Sequence, residues 1–173
     1  MRFAYADPPY LGLCRVYQHS HGDDGRCWDE PETHRLLIER LSDEYDGWAL
    51  SMGSIQLRAI LPMCPEGVRV AAWVKPFASF KKGVSPAYAW EPLLFVPLSR
   101  KHDITTPTTR DWVAVSIALE RGFVGAKPEG FCRWMFDLCR LDPADEFVDL
   151  FHGSGAVGRA WSAWSSQLRL LGA

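Results

Sequence analysis

Short apolar runs alternate with segments of helical period along nearly the whole chain, and that alternation limits the fold more than any single motif. Residues 2–6, "RFAYA", read as a short buried strand stopped by Pro8. In "DEPETHRLLIERLSDEYDG", Asp29 or Glu30 opens a helix with Pro31 in its first turn. Leu36, Leu37, Ile38 and Leu41 form its apolar face, and Gly47 is expected to end it. "WALSMG" (48–53) is the next strand. Ser54 is suited to cap a following helix with Ile55, Leu57, Ile60 and Leu61 as its apolar residues, before Pro62 and Pro65 break the pattern. "GVRVAAWVKPF" (67–77) and "EPLLFVPL" (91–98) read as two more strands, and 99–112 as a polar surface connection. A helix after Lys127-Pro128 places Phe131, Met135, Leu138 and Cys139 on one face. "DEFVDLF" is a strand, and "HGSGAVGRAWSAWSSQLRLL" is a Gly-rich turn feeding a helix. Strands alternating with helices give an α/β domain with a mainly parallel sheet.

The 173 residues suffice for one domain with a real core and are too few for two comfortable ones. Nearly half the residues are apolar, which is a folding composition. The net charge of -2 gives no global field for a polyanion, so any nucleic acid must be met by a local basic patch. Five cysteines, with no CxxC pair, read as reduced thiols of a cytosolic protein. Cys14, His19, His21 and Cys27 offer ligand types that zinc accepts, but their spacing matches no common pattern. The expectation there is a loop without a metal. No leader opens the chain, and no apolar run approaches the ~20 residues of a membrane span, so no membrane is expected as a partner.

Ligands of parallel α/β sheets bind beyond the carboxyl ends of the strands. Two strand ends here carry unusual chemistry. After the first strand stands Asp7-Pro8-Pro9-Tyr10. Proline has a carbonyl oxygen and no N–H, so this corner presents acceptors and almost no backbone donors. It suits a substrate with N–H bonds to give, such as an exocyclic amine, with Tyr10 as a flat face for a heterocycle. A strand-ending turn with an incidental acid has the same residues. After the last strand stands Asp149-Leu-Phe-His-Gly-Ser-Gly155. Gly153 and Gly155 permit a tight turn with close backbone approach, and the helix that follows offers free N–H groups. Counting Gly158, the spacing also fits a dinucleotide-binding turn, and a tight turn without ligand is a third reading.

The two motifs together resemble those of the amino-group S-adenosylmethionine-dependent methyltransferases that modify exocyclic nitrogens of DNA bases. In that family the D/N/S-P-P-Y/F/W corner is catalytic and the F-x-G-x-G turn binds the methyl donor; here these are Asp7-Pro8-Pro9-Tyr10 and Phe151-His152-Gly153-Ser154-Gly155. The catalytic motif comes first and the donor turn far downstream, as in the circularly permuted β-type members. Lys127-Pro128, opening a helix before the donor strand, also matches them. The resemblance spans nearly the whole chain and implies a Rossmann-like methyltransferase sheet without a separate target-recognition domain. Asp with Tyr is typical of N6-adenine enzymes; N4-cytosine enzymes usually have Ser in place of Asp7. The order speaks against the release-factor glutamine methyltransferases.

The resemblance further implies S-adenosylmethionine held by Asp149, Phe151, His152, Gly153, Ser154 and Gly155, with Lys127, Pro128 and Asp7 lining the same site. Asp7 and the Pro8 carbonyl would accept the two N6 hydrogens, and Tyr10 would stack on a base flipped out of the duplex. Family members often carry a second acid after the helix that follows the Gly turn, where it holds the ribose. No Asp or Glu follows Asp149 here, so the ribose contact is unassigned and one or two edge strands are expected to be missing. An open edge invites a partner, and a homodimer is the expectation. The partner polymer is DNA, with RNA as the alternative. Lys81, Lys82, Arg100, Lys101 and Arg110 form the best basic set, interleaved in part with Phe77, Phe80, Tyr88 and Trp90. A solvated surface would carry the same charges. A non-catalytic nucleic-acid-binding or partner subunit of the same fold is the reading from another class. A stand-alone protein of this kind fits a bacterial cell or a phage-infected one.

Overall fold

The structure is a computed structural model that describes residues 1–13, 28–77, 82–101, 108–118 and 125–171. In chain order its elements are β1 (Arg2–Ala6), α1 (Pro31–Glu44), β2 (Gly47–Ser51), a short helical passage containing α2 (Leu57–Ile60), β3 (Arg69–Val74), β4 (Trp90–Val96), β5 (Trp112–Ala114), α3 (Glu129–Leu138), β6 (Glu146–Asp149) and α4 (Ala156–Leu171). The strands form a single sheet ordered β5-β3-β4-β2-β1-β6. β1 runs parallel to β2 and β6, and β3 parallel to β5, while β4 is antiparallel to both of its neighbours. The sheet is therefore mainly parallel with one reversed strand. β6 pairs with β1 alone among the described strands and stands at the edge of the sheet.

The period-two alternation of the strands sorts side chains to two cores. Phe3 and Tyr5 of β1, Ala49 of β2, Trp73 of β3 and Phe95 of β4 face α3 and α4. Ala4, Ala6, Trp48, Leu50 and Leu94 face α1 and α2. α3 is buried on most sides, with Phe131, Cys132, Trp134, Met135, Phe136 and Leu138 all covered. Phe136 reaches past the sheet side and meets Trp161 and Trp164 of α4, both at 5.3 Å between ring centroids. This layer places the N-terminus of α3, with Lys127 just before it, beneath the end of β1.

Three local expectations change. Leu36 is 53 % exposed, and the covered face of α1 is His34, Leu37, Ile38 and Leu41. Gly47 does not stop α1 but opens β2, where a Cβ would lie 2.8 Å from the Val96 carbonyl oxygen; only glycine allows the two strands to approach this way. Ser54 makes no side-chain cap, and Ile55 and Leu61 are exposed while Ile60 and Gln56 are buried. A strand at the end of the polar stretch, β5, was not expected from the sequence; three residues are too few to show a period. Among the described residues no helix is long and apolar enough to cross a membrane. Cys64, Cys132 and Cys139 are free thiols, and burial pushes Cys132 up to about 12, which makes it a packing residue and not a nucleophile.

Candidate active site

Five chain segments converge at the carboxyl end of the parallel strands. β1 delivers Asp7 to Tyr10, and β6 delivers Asp149 and the Gly turn. β3 ends just before Lys75. The segment before α3 brings Lys127. β4 runs the other way, so its first residues, Trp90 and Glu91, arrive at this same end. The register Tyr5↔Asp149, with the Leu150 N–H donating to the Tyr5 carbonyl at 2.9 Å, sets the two sequence motifs side by side.

Asp7 is the centre of a cluster of alternating charge. Lys127 Nζ donates to Asp7 Oδ1 at 2.9 Å and lies 2.8 Å from Oδ2. The Tyr10 hydroxyl lies 3.3 Å from Asp7 Oδ1 and 3.1 Å from Glu91 Oε2 and shares its one proton between them. Lys127 Nζ is 3.7 Å from Glu91 Oε2, and Lys75 Nζ pairs with Glu91 Oε1. The two ammonium groups also lie over aromatic faces: Lys75 is 4.6 Å and Lys127 5.7 Å from the Trp73 ring centre. Burial raises the pKa of Asp7, and the Lys127 ammonium offsets this only in part, with the Glu91 charge working against it. Burial also acts on Glu91, but Lys127 and Lys75 together hold its carboxyl below the usual range. Asp149 is raised by burial, with the Phe151 N–H pulling the other way. A carboxylate shifted upward at a strand end beside one held down is a pattern found at working sites.

The turn after β6 is built for close approach. Gly153 and Gly155 have φ of +44° and +73°, a region that residues with a Cβ rarely enter. Asp149 Oδ1 accepts the Phe151 N–H at 3.2 Å. Ser154 Oγ accepts the Ala156 N–H at 3.3 Å, and Arg159 Nη1 donates to the Ser154 carbonyl at 2.7 Å. Trp28 packs on Phe151 with ring centroids 5.1 Å apart, and Leu36, Leu37, Arg40 and Leu150 extend this surface into a groove beside β6. The exposure of Leu36 follows from its place in that groove.

The residues of the two motifs are thus brought together, and Lys127 joins them. Tyr10 is placed less openly than a stacking platform would be: it is 8 % exposed, its hydroxyl turned into the charge cluster. Behind it lies a small apolar cavity lined by Pro8, Tyr10, Leu11, His34, Met52 and Gln56. Gln56 Oε1 is buried there with no hydrogen-bond partner among the described residues. Sequence reading missed Glu91 and Lys75 as site residues. Their signal was available only through the reversal of β4, which puts the start of that strand, not its end, beside Asp7.

The basic set does not form one patch. Arg100 donates to Asp145 Oδ2 at 2.6 Å and to the Arg140 carbonyl at 2.7 Å, at the amino end of β6 and away from Asp7. Lys101 follows it. Arg110 lies 5.6 Å over the ring of Trp112 at the start of β5, also an amino end. Lys82, with Phe77 and Tyr88, lies in the connection between β3 and β4 at the carboxyl end, and it is exposed. Lys81 and Phe80 fall outside the described residues, as do Cys14, His19, His21 and Cys27. Among the described residues no cluster of three or more His, Cys, Asp or Glu is placed to hold a metal ion.

No protein-family model matches the chain, and no curated protein matches it. Among solved structures it is similar to the crystal structure of an M1.HpyAVI–SAM complex, with a TM-score of 0.62 over 94 % of this chain and 78 % of that one, at 15 % sequence identity. At that identity the likeness is one of fold, a Rossmann-like, mainly parallel α/β sheet as expected from the sequence.

Proposed function

We propose that the protein is an S-adenosylmethionine-dependent methyltransferase acting on an exocyclic amine, with N6 of adenine in DNA as its substrate. The observation that carries this reading is the juxtaposition of an acceptor-only corner and a Gly-rich turn through the Tyr5↔Asp149 register. The fold shared with a SAM complex supports it.

The turn fits the donor. The positive φ at Gly153 and Gly155 opens the backbone, and a Cβ built at Gly153 would meet only the Phe151 carbonyl at 3.8 Å. In this reading Asp149, Phe151, His152, Gly153, Ser154 and Gly155 hold the donor, and Lys127, Pro128 and Asp7 line the substrate side of the same site. When bound there, the donor would supply a sulfonium methyl to the amine lone pair, with sulfur keeping the electrons of the S–C bond. The chain's own part is positioning. Asp7 and the Pro8 carbonyl accept the amine hydrogens and favour a tetrahedral nitrogen whose lone pair is free to attack. Asp7 must be ionised for this, and it offers an acceptor for the proton that the methylated nitrogen loses. DNA is met at the carboxyl end, where Lys82 with Phe77 and Tyr88 is better placed than Arg100 or Arg110. The open β6 edge is where a second copy would add to the sheet.

A second reading, a nucleic-acid-binding subunit without catalysis, is favoured by the burial of the Tyr10 ring. One assay separates the two. The protein is incubated with labelled S-adenosylmethionine and adenine-rich single- and double-stranded DNA and RNA, and the digested products are resolved. N6-methyladenine in DNA is expected. Label in RNA alone would move the substrate to RNA. No transfer, with no thermal shift from S-adenosylhomocysteine, would leave the non-catalytic reading standing.

A further inference from the structure

Lys75 and Glu91 belong to neither sequence motif, yet they complete the cluster around Asp7. We propose that Glu91 is a positioning residue that gives the Lys127 ammonium a second seat, so that an incoming amine can take its place on Asp7. This rests on the reading of Asp7 as the amine acceptor.

The geometry sets the problem first. Lys127 Nζ lies within 2.9 Å of both Asp7 oxygens, and Tyr10 donates to one of them. A carboxylate has about four lone-pair positions, and most of those on Asp7 are already used. The position an amine substrate needs is held by an amine of the protein itself. For the substrate to bind, Lys127 must leave Asp7. Because it is almost fully covered, its charge then calls for another carboxylate beside the Tyr10 hydroxyl, to which it also donates at 3.4 Å. Glu91 Oε2 is 3.7 Å from Lys127 Nζ. An ordinary N–H···O distance of about 2.8 Å is reached by a shift of only about 1 Å. Glu91 is itself held still: Lys75 takes its other oxygen, and the Tyr10 hydroxyl bonds Oε2. The Trp73 face lies beside both ammonium groups. Lys127 thus sits between two carboxylates, bonded to the one the substrate needs and within reach of the other.

The test uses Glu91→Gln and Lys75→Met in the full chain. Glu91→Gln keeps the shape and removes the competing charge, so Lys127 stays on Asp7. With adenine-rich single-stranded DNA as substrate, kcat/KM is expected to fall about 10- to 100-fold, the loss associated with misplacing a reacting group by about 1 Å. The thermal shift given by S-adenosylhomocysteine should be unchanged. An independent readout is the Asp7 carboxyl titration, followed by carbon-13 NMR. Asp7 is faced by Lys127, by Glu91 of β4, by Tyr5 and Tyr10, and by Asp149 of β6. Losing the Glu91 charge should lower its midpoint. Lys75→Met leaves Glu91 to draw Lys127 away, so the midpoint should rise. Unchanged kcat/KM in an active Glu91→Gln protein overturns the proposal. So do midpoints that stay put or move the same way in both variants, because an anion and a cation that act on Asp7 must shift it in opposite directions when removed. If the wild-type protein transfers no methyl group, the amine-acceptor reading fails, and the titrations still show whether the Glu91 charge acts on Asp7.

Discussion

The two ends of β1 and β6 each hold a carboxylate paired with cations, and the two pairs behave in opposite ways. At the amino end, the Asp145 side chain is 1 % exposed and receives the Arg100 guanidinium, the Met1 nitrogen and the Asp142 N–H. Burial raises its pKa, but these donors outweigh burial and leave it below the usual carboxylate range. At the carboxyl end, Asp7 shares Lys127 with a second carboxylate, and burial wins. A carboxylate with fixed donors on every side is a tie between elements. One that shares its cation keeps capacity for another donor. Residue type does not separate these roles; the number of donors per carboxylate does.

That contrast is open to attack from the largest effect downward. Asp7→Ala is expected to lower methyl transfer at least ~100-fold in a labelled-donor assay, the scale of losing a group that acts on developing charge. Its melting temperature should change little, because Lys127 keeps Glu91. Asp145→Ala should do the reverse. Removing the acceptor of three donors should cost about 2 kcal/mol, read as a drop of about 4–8 °C in Tm by calorimetry, while activity at its optimum survives. If the two variants lose stability equally, the distinction between tie and site is wrong.

The pH response sharpens the same comparison. Asp145 has a lowered folded pKa, so the stability it contributes is present above its unfolded value near 3.8 and is lost as pH falls below that. Asp7 has a raised pKa, so the ionised form needed for catalysis disappears while the pH is still above 3.8. On acidification, activity should therefore fall before Asp145-linked stability does. A kcat/KM profile whose acid limb coincides with acid unfolding would contradict this order. At the donor turn, Gly155→Val forces a β-branched side chain to φ +73°, and a Cβ there would lie 3.1 Å from Arg159 Nη1. Calorimetry should show weaker S-adenosylhomocysteine binding by about tenfold, in keeping with 1–2 kcal/mol of backbone strain. The smallest effect belongs to the DNA surface: Lys82→Ala should reduce the slope of log affinity against log salt by about one, whereas Lys101→Ala should leave it unchanged.

Much of this molecule was legible in its sequence because its information is local. The helix over 31–44, the strands and the Gly turn follow from period, proline position and glycine. The pairing of Asp7 with the Gly turn was expected through the motifs, and the β1–β6 register sets the two strand ends that lead to them side by side. What was not legible depends on direction and count. Glu91 and Lys75 enter the site because β4 runs backward, and no local pattern in "WEPLLFV" distinguishes its direction. Leu36 fits a helical stripe but lies over the groove beside β6. β5 is too short to announce itself. Arg100 looks like a surface cation in a basic stretch, and its partner Asp145 is 45 residues away.

The central claim is that Asp7 is the amine acceptor of a methyl-transfer site. The most direct measurement is N6-methyladenine formed in adenine-rich DNA by the wild-type protein and by Asp7→Ala, each also assayed for the S-adenosylhomocysteine thermal shift. The account expects product from the wild type alone and the same thermal shift from both. An Asp7→Ala protein that methylates adenine at the wild-type rate would contradict it.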